Sequence, residues 1–243
     1  MRIGKIILCG MVVLLVSCIV PVAAYSVFAN DNADNGNKPT MIVEYGAGKD
    51  VGLVKVTHID YATPPNKGKP SAKAASCYKL AGWKWSGPVT YTIIPDEDLT
   101  TAMTSAMGEW DENTSDDLFT DPVEGSVSWG VRDNKNAVLF GNYQSSGVIA
   151  VTATWYSRAT KQAVESDILF DTDYPWGDAT RTSGVMDLQN IATHEMGHTL
   201  GLSDLYTSSC DAVTMYGYSY FGDVEKSSLE PADITGLQKL YGT

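Results

Sequence analysis

The chain has 243 residues, 44% of them hydrophobic and 10% aromatic, enough to bury one sizeable core and too apolar for a disordered polypeptide. Two domains of equal size are not expected at this length. The formal charge of −12, from 17 Lys and Arg against 29 Asp and Glu, argues against nucleic acid as a partner and suits a soluble extracellular protein.

Residues 1–29 carry Arg2 and Lys5, a nearly unbroken apolar run from Ile6 to Ala24, and then Val27-Phe28-Ala29. This is the makeup of a secretory signal peptide. The run also reaches membrane-spanning length, so an uncleaved N-terminal anchor bearing an extracellular domain is the alternative. Leu15-Val16-Ser17-Cys18 resembles a lipoprotein cleavage box, although apolar residues continue past Cys18. Removing the segment leaves 15 basic against 29 acidic residues, so the acidic character deepens.

Residues 30–76 read as a pro-segment or linker: 30–38 are rich in Asn and Asp, and 61–75 in Pro, Lys, Gly and Ala. Between them, 53–61 has the Val and Ile content of a short strand. The texture changes at Cys77, where the globular domain of residues 77–243 begins.

After Trp83 and Trp85, the run Val89-Thr90-Tyr91-Thr92-Ile93-Ile94 reads as a buried strand closed by Pro95. Residues 98–112 place Leu99, Ala102, Met103, Ala106, Met107 and Trp110 at helical spacing, which makes that stripe core rather than a cofactor site. Strand signals recur at 126–131, 137–140, 148–156 and 166–170, separated by Gly, Asn, Asp and Ser turns. A helix over 188–200 follows, with Asp187 as its N-cap and Gly201 ending it. The last helix, over 231–241, starts at Pro231 and spaces Ile234, Leu237, Leu240 and Tyr241 as a buried stripe.

The chemistry concentrates in His194-Glu195-Met196-Gly197-His198 and the residues that follow. Two imidazoles four apart on a helix project from one face, a spacing that suits one Zn²⁺. Gly201 lets the chain turn so that Asp204 can return toward the same point as third ligand. Three protein ligands leave one position for a water whose pKa zinc lowers to about 7. Glu195, beside the first ligand, can act on that water as general base.

Two cysteines, Cys77 and Cys210, remain outside the N-terminal segment. In an oxidising compartment a pair favours a disulfide, worth roughly 4 to 5 kcal/mol for so long a loop. The rival reading makes Cys77 a zinc-blocking thiolate of a latent form.

The pattern HExxHxxGxx(H/D) resembles the zinc signature of the metzincin metalloproteases, and Met215 in Val213-Thr214-Met215-Tyr216-Gly217 resembles their Met-turn. Trp85 with 89–94, the helix ending at Trp110, Asp167-Ile168-Leu169-Phe170-Asp171 and the run from Ala232 to Gly242 are similar, in order, to the matrixin catalytic domain. The likeness covers about residues 78–243 and is of the secreted prokaryotic type.

The resemblance implies an α+β fold: a twisted, mostly parallel five-stranded sheet with one antiparallel edge strand, an active-site helix and a C-terminal helix. Residues 148–155 would form that edge, along which a peptide substrate lies extended, with the Ala150 region supplying backbone contacts. It also implies a monomeric, secreted zinc endopeptidase acting on peptide or protein substrates.

Departures from the family are specific. Matrixins usually present a third histidine where this chain has Asp204; snapalysin-like metzincins use aspartate there. The one other histidine, His58, is the lesser candidate. The structural zinc that animal matrixins hold through several histidines cannot be supplied. A Ca²⁺ site near Asp171 and Asp173 competes with turn formation by those aspartates. The residues that flank the family's cysteine switch are missing around Cys77, which favours its disulfide with Cys210. Gly217 stands where astacin-like enzymes place a metal-binding tyrosine, so Tyr216 and Tyr218 are read as packing residues. Asn113-Thr114-Ser115 matches a glycosylation acceptor by pattern alone. The alternative function is a noncatalytic, zinc-stabilised peptide-binding or surface protein, against which retention of Glu195 weighs.

Overall fold

The computed structural model describes residues 25–29, 40–45, 52–62 and 76–243, so most of the expected signal segment, with Cys18, lies outside the described residues. The two long helices begin where aspartates cap them. Asp96 accepts the Leu99 N–H at 2.9 Å and opens α1 (Glu97–Asp111); Asp187 accepts the Asn190 N–H at 2.8 Å and opens α2 (Leu188–Thr199). Glu97 and Asp98 add negative charge at the positive end of α1. The expected stripe from Leu99 to Trp110 is buried, and each large side chain in it contributes about 1.5–3 kcal/mol relative to exposure. Pro231 and Tyr241 bound the last helix, α3 (Pro231–Tyr241), as the sequence implies.

Eleven strands are described: β1 (Tyr25–Ala29), β2 (Met41–Tyr45), β3 (Leu53–Ala62), β4 (Tyr91–Ile93), β5 (Val123–Glu124), β6 (Asn136–Gly141), β7 (Val148–Ser157), β8 (Ala163–Asp171), β9 (Trp176–Gly177), β10 (Met186–Asp187) and β11 (Tyr218–Ser219). Within residues 77–243 the sheet runs β5-β4-β6-β8-β7, the first four parallel and β7 antiparallel at the end. This is the five-stranded arrangement the resemblance implies. The sheet does not stop there. β3 pairs antiparallel with β7, β2 with β3 and β1 with β2, while β11 joins β3 in parallel at its far end. β9 and β10, which the sequence does not announce, form a separate parallel pair just ahead of α2.

One expected strand differs. Residues 126–131 are not extended in a ladder; the short β5 precedes them. Gly130, at φ +76°, turns the chain, its N–H donating to Asp167 at 2.8 Å and its carbonyl accepting Lys55 Nζ at 3.1 Å. Side chains take hydrogen bonds that a neighbouring strand would otherwise supply.

The main core joins the helices to one face of the sheet through Ile93, Leu99, Met103, Trp110, Ile168, Phe170, Ile191 and Met196. A smaller cluster centres on Ile59, Val148 and Val151, with Tyr61, Trp129 and Tyr143 packed on it. Among the described residues no helix is long and apolar enough to cross a membrane.

Candidate metal centre

One helical turn separates His194 and His198 on the buried α2. Backbone carbonyls orient both rings: Thr214 O lies 2.7 Å from His194 Nδ1, and Leu202 O lies 3.0 Å from His198 Nδ1. A carbonyl only accepts, so each Nδ1 carries a proton and Nε2 is the atom each ring can offer a metal; burial works against charge on His198, but Asp204 and Glu195 push its imidazole up to about 9. Those two Nε2 atoms are 3.1 Å apart, and each is 3.3 Å from Asp204 Oδ1. Tetrahedral zinc with bonds of about 2.0–2.1 Å needs ligand atoms roughly 3.3 Å apart. The three donors fit that requirement, and all three residues are buried.

Gly201 makes the return to Asp204 possible. Its φ is +98°, and a Cβ there would lie 2.3 Å from the Trp83 carbonyl oxygen. The end of α2 is pinned as well: Trp85 Nε1 donates to Thr199 O at 2.8 Å and the Tyr241 hydroxyl to Leu200 O at 2.9 Å. Burial works against ionisation of Asp204, but the neighbouring His198 and His194 hold its carboxyl well below the usual range.

Glu195 faces the same space from the adjacent helical position. Its Oε2 accepts the Thr152 hydroxyl of β7, while Oε1 is buried without a hydrogen-bond partner. Burial pushes the Glu195 carboxyl up to about 7, although both histidines favour its charged form.

Met215 lies beneath α2. A Cβ on Gly197 would fall 2.2 Å from the Met215 sulfur and 2.9 Å from the Trp110 ring, so glycine is what lets the helix settle on both. The turn is held from α3: Asp233 accepts the N–H of Thr214 at 2.9 Å and of Met215 at 3.3 Å. Since the Thr214 carbonyl orients His194, the path from Asp233 to the candidate ligand is two contacts long.

His58 enters the centre from β3. Its ring stacks on His198, and its Nδ1 lies 3.5 Å from Asp204 Oδ2. Burial, with His198 beside it, pushes the His58 imidazole down to about 4, leaving it neutral with a lone pair to offer. His58 therefore stands beside Asp204 at the same place. Asp60, two residues on, comes within 4.8 Å of His194 and Glu195 through its ligand atom. A strand alternates its faces, so His58-Ile59-Asp60 is the sequence signal that both polar side chains share one side. Thr152 and Tyr206 are the other participants the sequence did not single out. The Tyr206 phenol is kept protonated by burial and by Asp204 and Asp60 nearby.

The remaining candidates fall outside the centre. Cys77 and Cys210 are joined in a disulfide, so Cys77 offers no thiolate. Asp171 accepts the N–H groups of Tyr143 and Asp173, and Asp173 accepts Asn142 Nδ2, interactions that shape the turn. Tyr218 packs edge-on against Tyr206 and Tyr216, with centroids 5.2 and 5.6 Å apart. The Asn113 side chain donates to Glu109 O at 2.8 Å. An open cleft of about 710 Å³ lies away from these histidines, lined by Asp98, Trp176, Arg181 and Gln189 between α1 and the start of α2.

Residues 83–242 match the family model for matrixin. Human matrix metalloproteinase-16 is 26% identical over 210 residues, 79% of this chain and 34% of that protein. The hatching enzyme of Paracentrotus lividus is 26% identical over 207 residues, covering 82% and 33% of the two chains. Mouse stromelysin-1 is 30% identical over 172 residues, or 66% and 33%. The chain spans about a third of the length of these curated relatives.

Proposed function

This chain belongs to the matrixin family, and on that premise we propose that it is a secreted zinc endopeptidase with His194, His198 and Asp204 as metal ligands. The observation that carries the reading is the convergence of two imidazole Nε2 atoms and one carboxylate oxygen at 3.1–3.3 Å, with the unpartnered Glu195 Oε1 beside them. Bound there, zinc would supply Lewis-acid chemistry, lowering the pKa of a water and polarising the scissile carbonyl. Glu195 takes the proton from the attacking water and passes it to the leaving amine. Thr152 holds Oε2 and so aims Oε1 at the water. Met215, supported by Asp233, keeps the floor beneath the ligands from shifting.

The substrate is a peptide or protein in extended conformation, paired along β7 near Ala150. A signal peptide over residues 1–29 and a pro-segment over 30–76 belong to the same proposal, and the acidic surface suits a secreted monomer. A noncatalytic module would have no use for a buried acid at position 195.

The test is hydrolysis of unfolded casein by the zinc-loaded chain after limited trypsin cleavage, the trypsin then being inhibited, beside Glu195→Gln and chelated wild type treated alike. Cleavage by wild type alone is expected. Equal cleavage in all three would overturn the reading.

A further inference from the structure

We propose that Lys226, held against α2 one helical turn before His194, is a specificity-determining residue: its Nζ takes the carboxylate of an acidic side chain on the residue that follows the scissile bond. The inference rests on the catalytic reading above and names the class of substrate that reading would favour.

The lysine itself makes the first part of the case. Lys226 is 2% exposed, and its Nζ is buried without a hydrogen-bond partner. A lysine terminus has three protons to donate and is almost never fully buried unless paired, because a buried charge left alone is strongly destabilising. Asp223, three residues back and also buried, is engaged elsewhere: its Oδ2 accepts the Ser219 hydroxyl at 3.0 Å and its Oδ1 the Glu225 N–H at 3.3 Å. An idle buried donor of this kind points to an acceptor that arrives with a ligand.

Its position supplies the second part. The Lys226 N–H donates to Asn190 Oδ1 at 2.6 Å, and Asn190 Nδ2 donates to Ser219 Oγ of β11 at 3.3 Å. Gln189 Nε2 reaches Ser227 O at 3.5 Å and the Thr214 hydroxyl donates to Ser228 O at 3.0 Å, so the segment is fastened both to α2 and to the turn before Met215. Asn190 and His194 are four residues apart in α2 and share the face that carries the metal ligands, about 6 Å apart along the axis. Thr214, whose carbonyl orients His194, therefore also anchors the lysine's segment.

The direction of a substrate selects which side chain meets this group. Tyr61 pairs with both Val148 and Tyr218, which puts β11 beside the start of β7. A peptide laid antiparallel to β7 with its scissile bond near Ala150 runs on past Val148 and so toward Ser219. Its side chains alternate between two faces, and the one that turns toward α2 enters beside His194 and Asn190. An aliphatic side chain there leaves Nζ facing hydrocarbon, whereas a Glu or Asp carboxylate supplies the missing acceptor. Sites of this kind discriminate well, because the wrong ligand leaves buried polar groups unpaired.

The test uses the zinc-loaded, trypsin-cleaved chain and quenched fluorescent peptides that differ only in the residue after the scissile bond: Glu, Gln or Leu. Wild type is expected to cleave the Glu peptide with kcat/KM about tenfold or more above the Gln peptide. Lys226→Met should lose that preference and yet unfold about 2 °C or more above wild type, since an unpaired buried charge is gone. Peptide hydroxamates bearing Glu or Gln read the same preference by calorimetry without turnover, about tenfold in wild type and absent in Lys226→Met. Equal cleavage of the three peptides by wild type, or an undiminished Glu preference in Lys226→Met, would overturn the inference and leave the catalytic reading standing. Lower thermal stability in Lys226→Met with unchanged selectivity would overturn it as well, by assigning the lysine to the fold alone. A Glu-selective hydroxamate affinity in a chain that cleaves no peptide would support the inference while removing the catalytic reading.

Discussion

The imidazole of His58 lies flat on that of His198, with 4.1 Å between ring centroids and 8° between their planes. The pair joins a strand outside the expected catalytic domain to a candidate zinc ligand inside it. It also raises the question of which groups the metal needs. Asp204→Ala should weaken zinc binding by more than about 100-fold, beyond the usual effect of groups behind the ligands, whereas His58→Ala should cost less. Competition with a chromogenic chelator measures both. A larger loss in His58→Ala would exchange the two roles.

Two glycines on helices should respond in opposite directions. Gly197→Ala drives a methyl group into the Met215 sulfur and the Trp110 ring and should cost about 1–3 kcal/mol. Gly108, within α1, has open space where its Cβ would be, so Gly108→Ala should stabilise by about 0.5–1 kcal/mol. Thermal unfolding reads both, at about 2–4 °C per kcal/mol for a chain of this size. Shifts of the same sign would contradict the packing described.

Stability should depend on pH through Asp167. Burial, offset in part by the N–H groups of Ala137 and Gly130, pushes its carboxyl up from 3.8 to about 7. In the unfolded chain it ionises near its ordinary value of about 3.9. Below about pH 4 both states hold the proton and the folded state keeps the full benefit. That benefit is lost as pH rises through about 7, by an amount on the order of a few kcal/mol. Urea unfolding at a series of pH values should show a shallower decline over this window in Asp167→Asn. Parallel curves for the two proteins would mean that Asp167 titrates normally.

Thr152→Val keeps the side-chain shape but removes the hydroxyl that holds Glu195. In the variant, kcat for peptide hydrolysis should fall about tenfold, the value of one hydrogen bond to a charged group, with KM little changed. A change confined to KM would assign Thr152 to substrate binding instead.

The sequence was most legible where periodicity and punctuation coincide. Asp187, Gly201 and Pro231 mark helix ends that the structure shares within a residue, because caps and breakers act locally. The five-stranded sheet followed from family resemblance. Residues 126–131 misled because Val127 and Val131 look strand-like, while the Asp167 carboxylate and Lys55 that bind Gly130 come from distant parts of the chain. His58 posed the same difficulty at the metal centre. Its strand character was visible, but no local signal says which strand will accept β3 as a neighbour, and that choice decides where the imidazole points.

The Cys77–Cys210 disulfide ties down the chain on the far side of residues 63–76 from β3. While the backbone is whole, β3 and its slot are parts of one molecule, and occupancy of the slot does not depend on how dilute the protein is. A single peptide-bond cut between Ala62 and Cys77 changes the molecularity. The domain keeps its first residues through the disulfide, whereas β3 becomes a separate chain whose return follows bimolecular kinetics. In a dilute medium the separated strand rarely meets β7 again, and the surrounding volume sets how rarely.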